Sequence, residues 1–482
     1  MANVRRAKIV CTLGPATDSA EQLRAVIDAG MDVARFNLSH GSHAEHEERY
    51  RRVRKAAIEA QRNVGVLVDL QGPKIRLGTF AEGSAILEPG ATFTITTDDV
   101  PGDADRSSTT YAGLPGDVHP GDPVLVDDGR LALEVEKVEG TEVVTRVVLG
   151  GRVSNNKGLN LPGTAVSVPA MSEKDIEDLR WGLRVGADMI ALSFVRSAAD
   201  IDLVHKIMDE EGVRLPVIAK VEKPQAVENL AEIVDAFDGV MVARGDLGVE
   251  LPLWDVPLVQ KQAVELCRRR AKPVIVATQM LESMISNPRP TRAETSDVAN
   301  AVLDGTDAVM LSGETSVGTY PVETVATMAK IVETVEEHGL DRIPPLGTKP
   351  RTKGGAITKA AVETAELLGA KYLIAFTQSG DSARRMARLR PATPLLAFSP
   401  LEATRHQLAL SWGVEVFPAD YVDHTDEMVK QVDRVLLQLE RCKKGDLVVI
   451  VAGSPPGIPG STNAMRVHKI GDAVGKVAPA YS

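Results

Sequence analysis

The feature that most constrains this chain is an alternation in which short, uniformly apolar runs are separated by stretches with helical spacing. The runs at 8–13 (KIVCTL), 32–38 (DVARFNL) and 64–69 (VGVLVD) read as buried strands. Between them, the spacing predicts helices over 18–29, behind the cap-like Asp18, and over the charged segment 42–61. From about 75 to 168 the helical period vanishes, and Val/Thr-rich runs such as EPGATFTITTDD and GDPVLVDDG are cut by Gly, Pro and Asp. That texture predicts an antiparallel β unit with tight turns. At Ser172 the alternation resumes, with Asp175 placed as the partner of a helix cap. Strand-like runs follow at 188–194, 216–221, 239–244, 273–278 and 307–312.

Apolar strands that do not alternate, lying between helices, imply a parallel sheet covered on both faces. Eight such strands predict a (β/α)8 barrel interrupted after its third strand. The Gly/Pro-rich stretch 339–355 reads as a linker, and 356–475 alternates again as an open α/β unit. The expected fold class is therefore α/β, with a barrel over 1–74 and 168–340, a β-rich insertion over 75–167 and a C-terminal α/β domain over 350–482. A length of 482 residues agrees with three domains at roughly 150 residues each.

Composition removes several classes of function. Lys and Arg total 55 against 66 Asp and Glu, a net charge of −11, whereas a protein that grips nucleic-acid phosphates usually carries a basic excess. No apolar run approaches the ~18 residues a membrane span needs. Arg5, Arg6 and Lys8 precede a run too short for a signal-peptide core. Cys11, Cys267 and Cys442 are odd in number and far apart, so they make neither a disulfide framework nor a metal knuckle. The expectation is a cytoplasmic protein with no nucleic-acid and no membrane partner.

In a parallel barrel, reactive side chains sit at the C-terminal ends of the strands. Here those ends carry polar groups that a core would reject: Arg35, Asn37, Ser39 and His40 on the second strand, Asp69 on the third, Ser193 on the fourth. Lys220 and Glu222 end the fifth, and Arg244, Gly245 and Asp246 follow the sixth. Thr278 and Gln279 end the seventh, and Ser312, Gly313 and Glu314 follow the eighth. Side chains two apart on a strand share a face, so Lys220 and Glu222 point the same way, as do Arg35 and Asn37. Glu222 and Asp246, on adjacent strand ends, could converge on one Mg²⁺ or Mn²⁺; the plainer reading makes Lys220–Glu222 and Arg244–Asp246 ion pairs at the rim. Arg35, Lys220 and a cation would concentrate positive charge for an anionic ligand, as phosphoryl transfer requires. A late-strand lysine also marks Schiff-base aldolases, which Glu222 and Asp246 argue against. There is no GxxxxGK[ST] or GxGxxG loop, so a nucleotide would be held by side chains such as Arg76 and Lys157. His40, His43 and His46 stand three apart amid glutamates and read as the exposed start of a helix rather than a metal site.

The motifs TLGPAT (12–17), RFNLSHG (35–41), DLQGPKIR (69–76), VIAKVEKPQAV (217–227), DGVMVARGDLGVE (238–250), ATQMLESM (277–284) and PTRAETSDVANAVLDGTDAVMLSGET (290–315) resemble pyruvate kinase in order along nearly the whole chain. The resemblance implies transfer of the phosphoryl group of phosphoenolpyruvate to ADP, giving pyruvate and ATP, in the last step of glycolysis. It implies that Arg35 binds the substrate phosphate and that Lys220 stabilises the phosphoryl in flight. Glu222 and Asp246 would hold Mg²⁺, and Gly245, Asp246 and Thr278 the substrate carboxylate. Ser312 and Glu314 would order waters near Thr278 that protonate the enolate. Arg76, His40, Lys157 and Asn37 would approach the nucleotide phosphates. Residues 75–167 would be a mobile β-barrel lid, and a homotetramer is implied.

The resemblance also implies a K⁺ site at Asn37, Ser39, Asp69 and Leu70. Potassium-dependent relatives read Thr-Lys-Gly-Pro-Glu where this chain reads Leu70-Gln71-Gly72-Pro73-Lys74. The Lys74 ammonium could supply the charge of K⁺, so the expectation is that potassium is not required. The C-terminal domain resembles the family's effector and assembly domain, with Thr377, Ser379, Gly380 and Ser382 in a turn that suits a phosphate. Asp381 in that turn disfavours fructose 1,6-bisphosphate and leaves a nucleoside or sugar monophosphate as the expected allosteric effector, with the loop 453–463 closing over it. A protein of this fold that senses metabolites without turnover is the remaining alternative.

Overall fold

The computed structural model describes residues 5–473 except 165, 455, 457 and 459. Each predicted barrel run contains a strand: β1 (Lys8–Thr12), β2 (Val33–Asn37), β3 (Gly65–Asp69), β4 (Met189–Leu192), β5 (Val217–Val221), β6 (Gly239–Ala243), β7 (Val274–Ala277) and β8 (Ala308–Leu311). They close in sequence order into a barrel, and the closing pair, β1 with β8, is parallel. The interior is filled by Val10, Val33, Leu67, Ile218, Met241 and Ile275, while Ala409 and Leu410 of the C-terminal domain pack against the same cluster. Because inward positions recur every second residue, Thr12, Arg35, Asp69 and Lys220 follow on the same face, one step nearer the C-terminal mouth. The apolar filling thus ends where the polar pocket begins.

Ser172 caps its helix as expected, accepting the Asp175 N–H while the Asp175 carboxylate accepts the Ser172 N–H. The first helix begins one residue later than the sequence suggested. Ser19, not Asp18, accepts the Gln22 N–H, and Asp18 is drawn away by Arg49 at 2.6 Å. His46 likewise departs from the exposed position expected of it. It is only 3% exposed, because its ring is needed between Phe36 and Trp181 and its Nε2 meets the His40 carbonyl at 2.7 Å.

Residues inserted after β3 form a six-stranded sheet and a two-stranded ribbon around one core that includes Leu87, Phe93, Leu133, Val147 and Val153. Most of its pairings are antiparallel, but Thr92–Thr96 runs parallel to Arg106–Ser108. Beyond the linker, β9 (Tyr372–Phe376), β10 (Leu395–Ser399), β11 (Val414–Pro418) and β12 (Leu447–Gly453) form a parallel sheet. An antiparallel edge strand that the sequence reading missed, β13 (Thr462–Lys469), completes it. Its mixed TNAMRVHK pattern reflects an edge position with much of its length exposed.

Candidate active site

The mouth of the barrel holds a continuous polar network. The Lys220 ammonium lies 2.9 Å from Glu222 Oε1 and 3.3 Å from Asp69 Oδ1, and it donates to Ser193 Oγ at 2.7 Å. Ser193 in turn donates to the Leu70 carbonyl at 2.7 Å. On the other side of Asp69, Arg35 Nε donates to Oδ2 at 2.7 Å, and Arg35 Nη1 donates to Thr12 Oγ1 at 2.8 Å. Glu222 Oε2 accepts the Phe194 N–H at 2.7 Å. Phe194 and Thr278, at the ends of β4 and β7, take the left-handed backbone conformation, a strain that accumulates at functional sites.

Electrostatics set the protonation of the cluster. Burial alone would lower the Lys220 pKa, but Asp69 and then Glu222 more than offset it and hold the ammonium firmly charged. Burial would likewise raise Asp69, yet Lys220 and Arg35 keep it below the usual carboxylate range. Glu222 goes the other way: burial pushes it up, Lys220 opposes, and the Asp246 carboxylate adds to the rise. The two carboxylates expected to share a cation therefore repel one another, which a divalent ion between them would relieve. Among the described residues no group of three or more His, Cys, Asp or Glu side chains could hold a metal. An ion on Glu222 and Asp246 would complete its shell with substrate oxygens and water, as Mg²⁺ usually does.

The remaining candidates form smaller arrangements around this network. Gly245 donates its N–H to Thr278 Oγ1 at 2.6 Å; a Cβ at Gly245 would lie 3.4 Å from that oxygen. Arg244 does not pair with Asp246. It bonds Asp297 at 2.8 Å and the Thr278 carbonyl, anchoring the end of β7 to the start of the helix Arg244–Glu250 that follows β6. Glu314 is fully buried and accepts the N–H groups of Ser312 at 2.7 Å and Leu281 at 3.1 Å, which fixes the turn after β8. Asn37 and Asp69 are register partners, and Asn37 Oδ1 accepts the Ser39 N–H at 3.2 Å, so these two and Ser39 are gathered beside Leu70. Asp69 Oδ1 is buried and, apart from the Lys220 ammonium at 3.3 Å, meets no donor.

Of the proposed nucleotide contacts, Asn37 lies beside Asp69, but Arg76, Lys157 and His40 are not drawn into this network. Lys157 pairs with Asp127 at 2.8 Å within the inserted domain, Arg76 donates to the Asn156 carbonyl at 3.0 Å, and the His40 side chain is exposed. Lys74 approaches Gly158 of the inserted domain, where an added Cβ would meet its Cε at 3.0 Å. It lines a cavity between insertion and barrel with Phe194 and Lys223. Sequence reasoning passed over Thr12, whose hydroxyl orients Arg35 and donates to the Leu311 carbonyl at 2.9 Å. The inward spacing from Val10 was the signal for it.

In the C-terminal domain, Thr377 Oγ1 accepts the Gly380 N–H at 2.9 Å, Ser379 Oγ accepts the Asp381 N–H at 3.4 Å, and Ser382 Oγ meets Thr462 Oγ1. The turn borders a cavity of about 660 Å³ that also reaches Asp420 and Tyr421. Asp381 is ion-paired with Arg385. Of the loop 453–463, residues 455, 457 and 459 lie outside the described residues. No helix among the described residues is long and apolar enough to cross a membrane.

The barrel and the charged pocket at its mouth define a (β/α)8 enzyme that acts on a small anionic substrate. Residues 4–325 match the family model "Pyruvate kinase, barrel domain" and 355–468 the model "Pyruvate kinase, alpha/beta domain". The chain is 60% identical to a pyruvate kinase of Corynebacterium glutamicum over 97% of this chain and 98% of that one. It is also 60% identical to one of Mycobacterium tuberculosis over 97% and 99%. A crystal structure of a pyruvate kinase from Cryptosporidium parvum superposes with a TM-score of 0.90 at 35% identity, covering 97% of this chain and 96% of that one. The chain belongs to the pyruvate kinase family and is a phosphotransferase.

Proposed function

We infer that the pocket performs its family's reaction, moving the phosphoryl group of phosphoenolpyruvate to ADP to give pyruvate and ATP. The observation that carries this reading is the buried cluster in which Lys220 lies 2.9 Å from Glu222 and Arg35 lies 2.7 Å from Asp69. Arg35, steered by Thr12 and Asp69, binds the substrate phosphate. Lys220, kept charged by two carboxylates, stabilises the phosphoryl as the bond to the enol oxygen breaks and that to the ADP β-phosphate oxygen forms. Glu222 and Asp246 hold Mg²⁺ or Mn²⁺, which when bound neutralises charge on the phosphoryl and substrate oxygens. The Gly245 N–H, Asp246 and the Thr278 hydroxyl position the substrate carboxylate. Ser312, fixed by Glu314, orders water near Thr278 for protonation of the pyruvate enolate.

Residues 75–167 act as a lid that brings Arg76 and Lys157 toward the nucleotide phosphates beside His40 and Asn37, with water excluded during transfer. Asn37, Ser39, Asp69 and Leu70 form the monovalent-cation position. Lys74, which approaches Gly158 in this structure, supplies the positive charge that potassium would otherwise bring, so K⁺ is not required. The Thr377, Ser379, Gly380 and Ser382 turn takes a phosphorylated allosteric effector; Asp381 and Asp420 at the cavity favour one phosphate over two.

The chain works in the cytoplasm as a homotetramer, which needs two different self-complementary surfaces. Leu253, Trp254 and Leu258 are exposed together, and β13 leaves Met465 and Val467 exposed on a free sheet edge. A lactate dehydrogenase-coupled assay tests the activity. Pyruvate must form from phosphoenolpyruvate and ADP with Mg²⁺, and cease with EDTA; absence of pyruvate under the first condition refutes it.

A further inference from the structure

One side chain of the inserted domain enters the hydrogen-bond network of the barrel. Asn160 Nδ2 donates to Glu250 Oε1 at 2.8 Å, and both residues are buried. Among the described residues, this is the only bond between side chains that joins 75–167 to the barrel. A carboxylate acceptor makes such a bond stronger than one between neutral groups. Lys223 donates to the same Glu250 oxygen, so the buried charge is paired while it accepts from the insertion. The turn that follows the strand Pro123–Val126 comes close to the residue before Glu250: a Cβ at Gly129 would lie 3.9 Å from Val249 Cγ1.

Glu250 stands where the two segments that carry the cation-binding carboxylates meet. It is the last residue of the helix Arg244–Glu250, whose first turn carries Gly245 and Asp246. Its partner Lys223 directly follows Glu222. The Lys223 ammonium lies 5.7 Å from the centre of the Phe194 ring, and the Phe194 N–H is the donor that Glu222 Oε2 accepts. On the other side of the bond, Asn160 belongs to the same unit as Lys157. The strand Leu159–Asn160 pairs with Val126 and Leu125, the Asp127 N–H donates to the Gly158 carbonyl at 3.1 Å, and Lys157 pairs with Asp127 at 2.8 Å. A rigid swing of the insertion away from the barrel must therefore move Lys157 and break the Asn160–Glu250 bond together.

We propose that Asn160 and Glu250 are positioning residues for ADP, a latch that seats the lid on the helix bearing Asp246 and so sets Lys157 against the nucleotide phosphates. The inference rests on the phosphoryl-transfer reading of the pocket and adds to it the contact that fixes the lid. Both residues act through other groups: Glu250 through the helix that carries Asp246, and Asn160 through the segment that carries Lys157. The bond forms only when the lid is seated, so it contributes when ADP is enclosed and not when phosphoenolpyruvate enters the barrel.

The test is steady-state kinetics of the full-length protein in the lactate dehydrogenase-coupled assay, with ADP and phosphoenolpyruvate varied separately and thermal unfolding as the control. Asn160→Ala leaves the Lys223–Glu250 pair intact, so its Tm should match that of the parent. Its KM for ADP should rise several-fold and its kcat/KM for ADP fall about tenfold or more, the loss of one bond to a charged group, while KM for phosphoenolpyruvate holds within about twofold. Asn160→Asp, which sets two carboxylates together, should be worse. Combining it with Glu250→Gln should restore the use of ADP, because amide and carboxylate are then exchanged and Lys223 keeps a counter-charge. A merely structural role lowers kcat with both KM values unchanged, and that result overturns the proposal. So does an Asn160→Ala variant whose kcat/KM for ADP stays within about twofold of the parent, or an exchange variant no better than Asn160→Asp alone. A parent that forms no pyruvate refutes the transfer reaction itself, and this role with it.

Discussion

Replacing Lys220 by methionine keeps most of the side-chain volume and removes a buried ammonium that contacts Ser193, Glu222 and Asp69. Two losses follow and can be measured apart. Removing one preorganised charge from a water-poor site costs about 3–4 kcal/mol in the transition state, roughly a 10²–10³-fold fall in kcat. In the ground state, Glu222 and Asp69 lose a counter-charge. Asp69 keeps Arg35 at 2.7 Å, so the stability cost should lie below the ~3–5 kcal/mol of a fully broken buried pair. Initial rates of pyruvate formation, normalised to folded protein by circular dichroism, report the first loss, and chemical denaturation reports the second. The KM for ADP should change little, because Lys220 acts on the group being transferred. A folded Lys220→Met variant with kcat within tenfold of the parent would refute the assignment of the ammonium to the phosphoryl in flight.

The raised Glu222 carboxyl makes divalent-ion activation sensitive to acid. A proton and the metal compete for this oxygen, so the acid limb of the rate profile should lie above pH 4.5, the ordinary glutamate value, and move lower as Mg²⁺ is raised; a limb indifferent to Mg²⁺ contradicts this. The same shift has a stability sign. With its folded pKa above its unfolded one, Glu222 favours the folded state below the unfolded value and loses that contribution as pH rises through the folded value, so Glu222→Gln should flatten that decline in Tm. Lys74→Glu should convert a potassium-indifferent enzyme into one activated by K⁺ over a tetramethylammonium control; strong K⁺ activation of the parent would defeat the proposal for Lys74. Trp254→Glu, at a side chain 78% exposed, should lower the assembly state in analytical ultracentrifugation, and an unchanged sedimentation coefficient removes this surface from the interface.

The barrel was legible because buried parallel strands are written as uninterrupted apolar runs. Even their polar ends, such as Asp69 and Lys220, follow from the two-residue spacing that places them above Leu67 and Ile218. Thr12 escaped notice because a lone threonine at a strand end carries no charge to draw attention. Partner choice was the least legible. Arg244 pairs with Asp297, distant in sequence, rather than with Asp246 beside it, and His46 is buried by Phe36 and Trp181. Both outcomes depend on which elements the closed barrel sets side by side. The edge strand β13 was hidden for a related reason: with one neighbour and much of its surface exposed, it needs no apolar run.

The central claim is that Glu222 and Asp246 seat one divalent ion beside Lys220. Electron paramagnetic resonance of Mn²⁺ titrated into the protein with phosphoenolpyruvate measures this directly, without relying on turnover. One tight site per chain is predicted for the parent, at least tenfold weaker in both Glu222→Gln and Asp246→Asn. Undiminished Mn²⁺ binding in both variants would contradict the account.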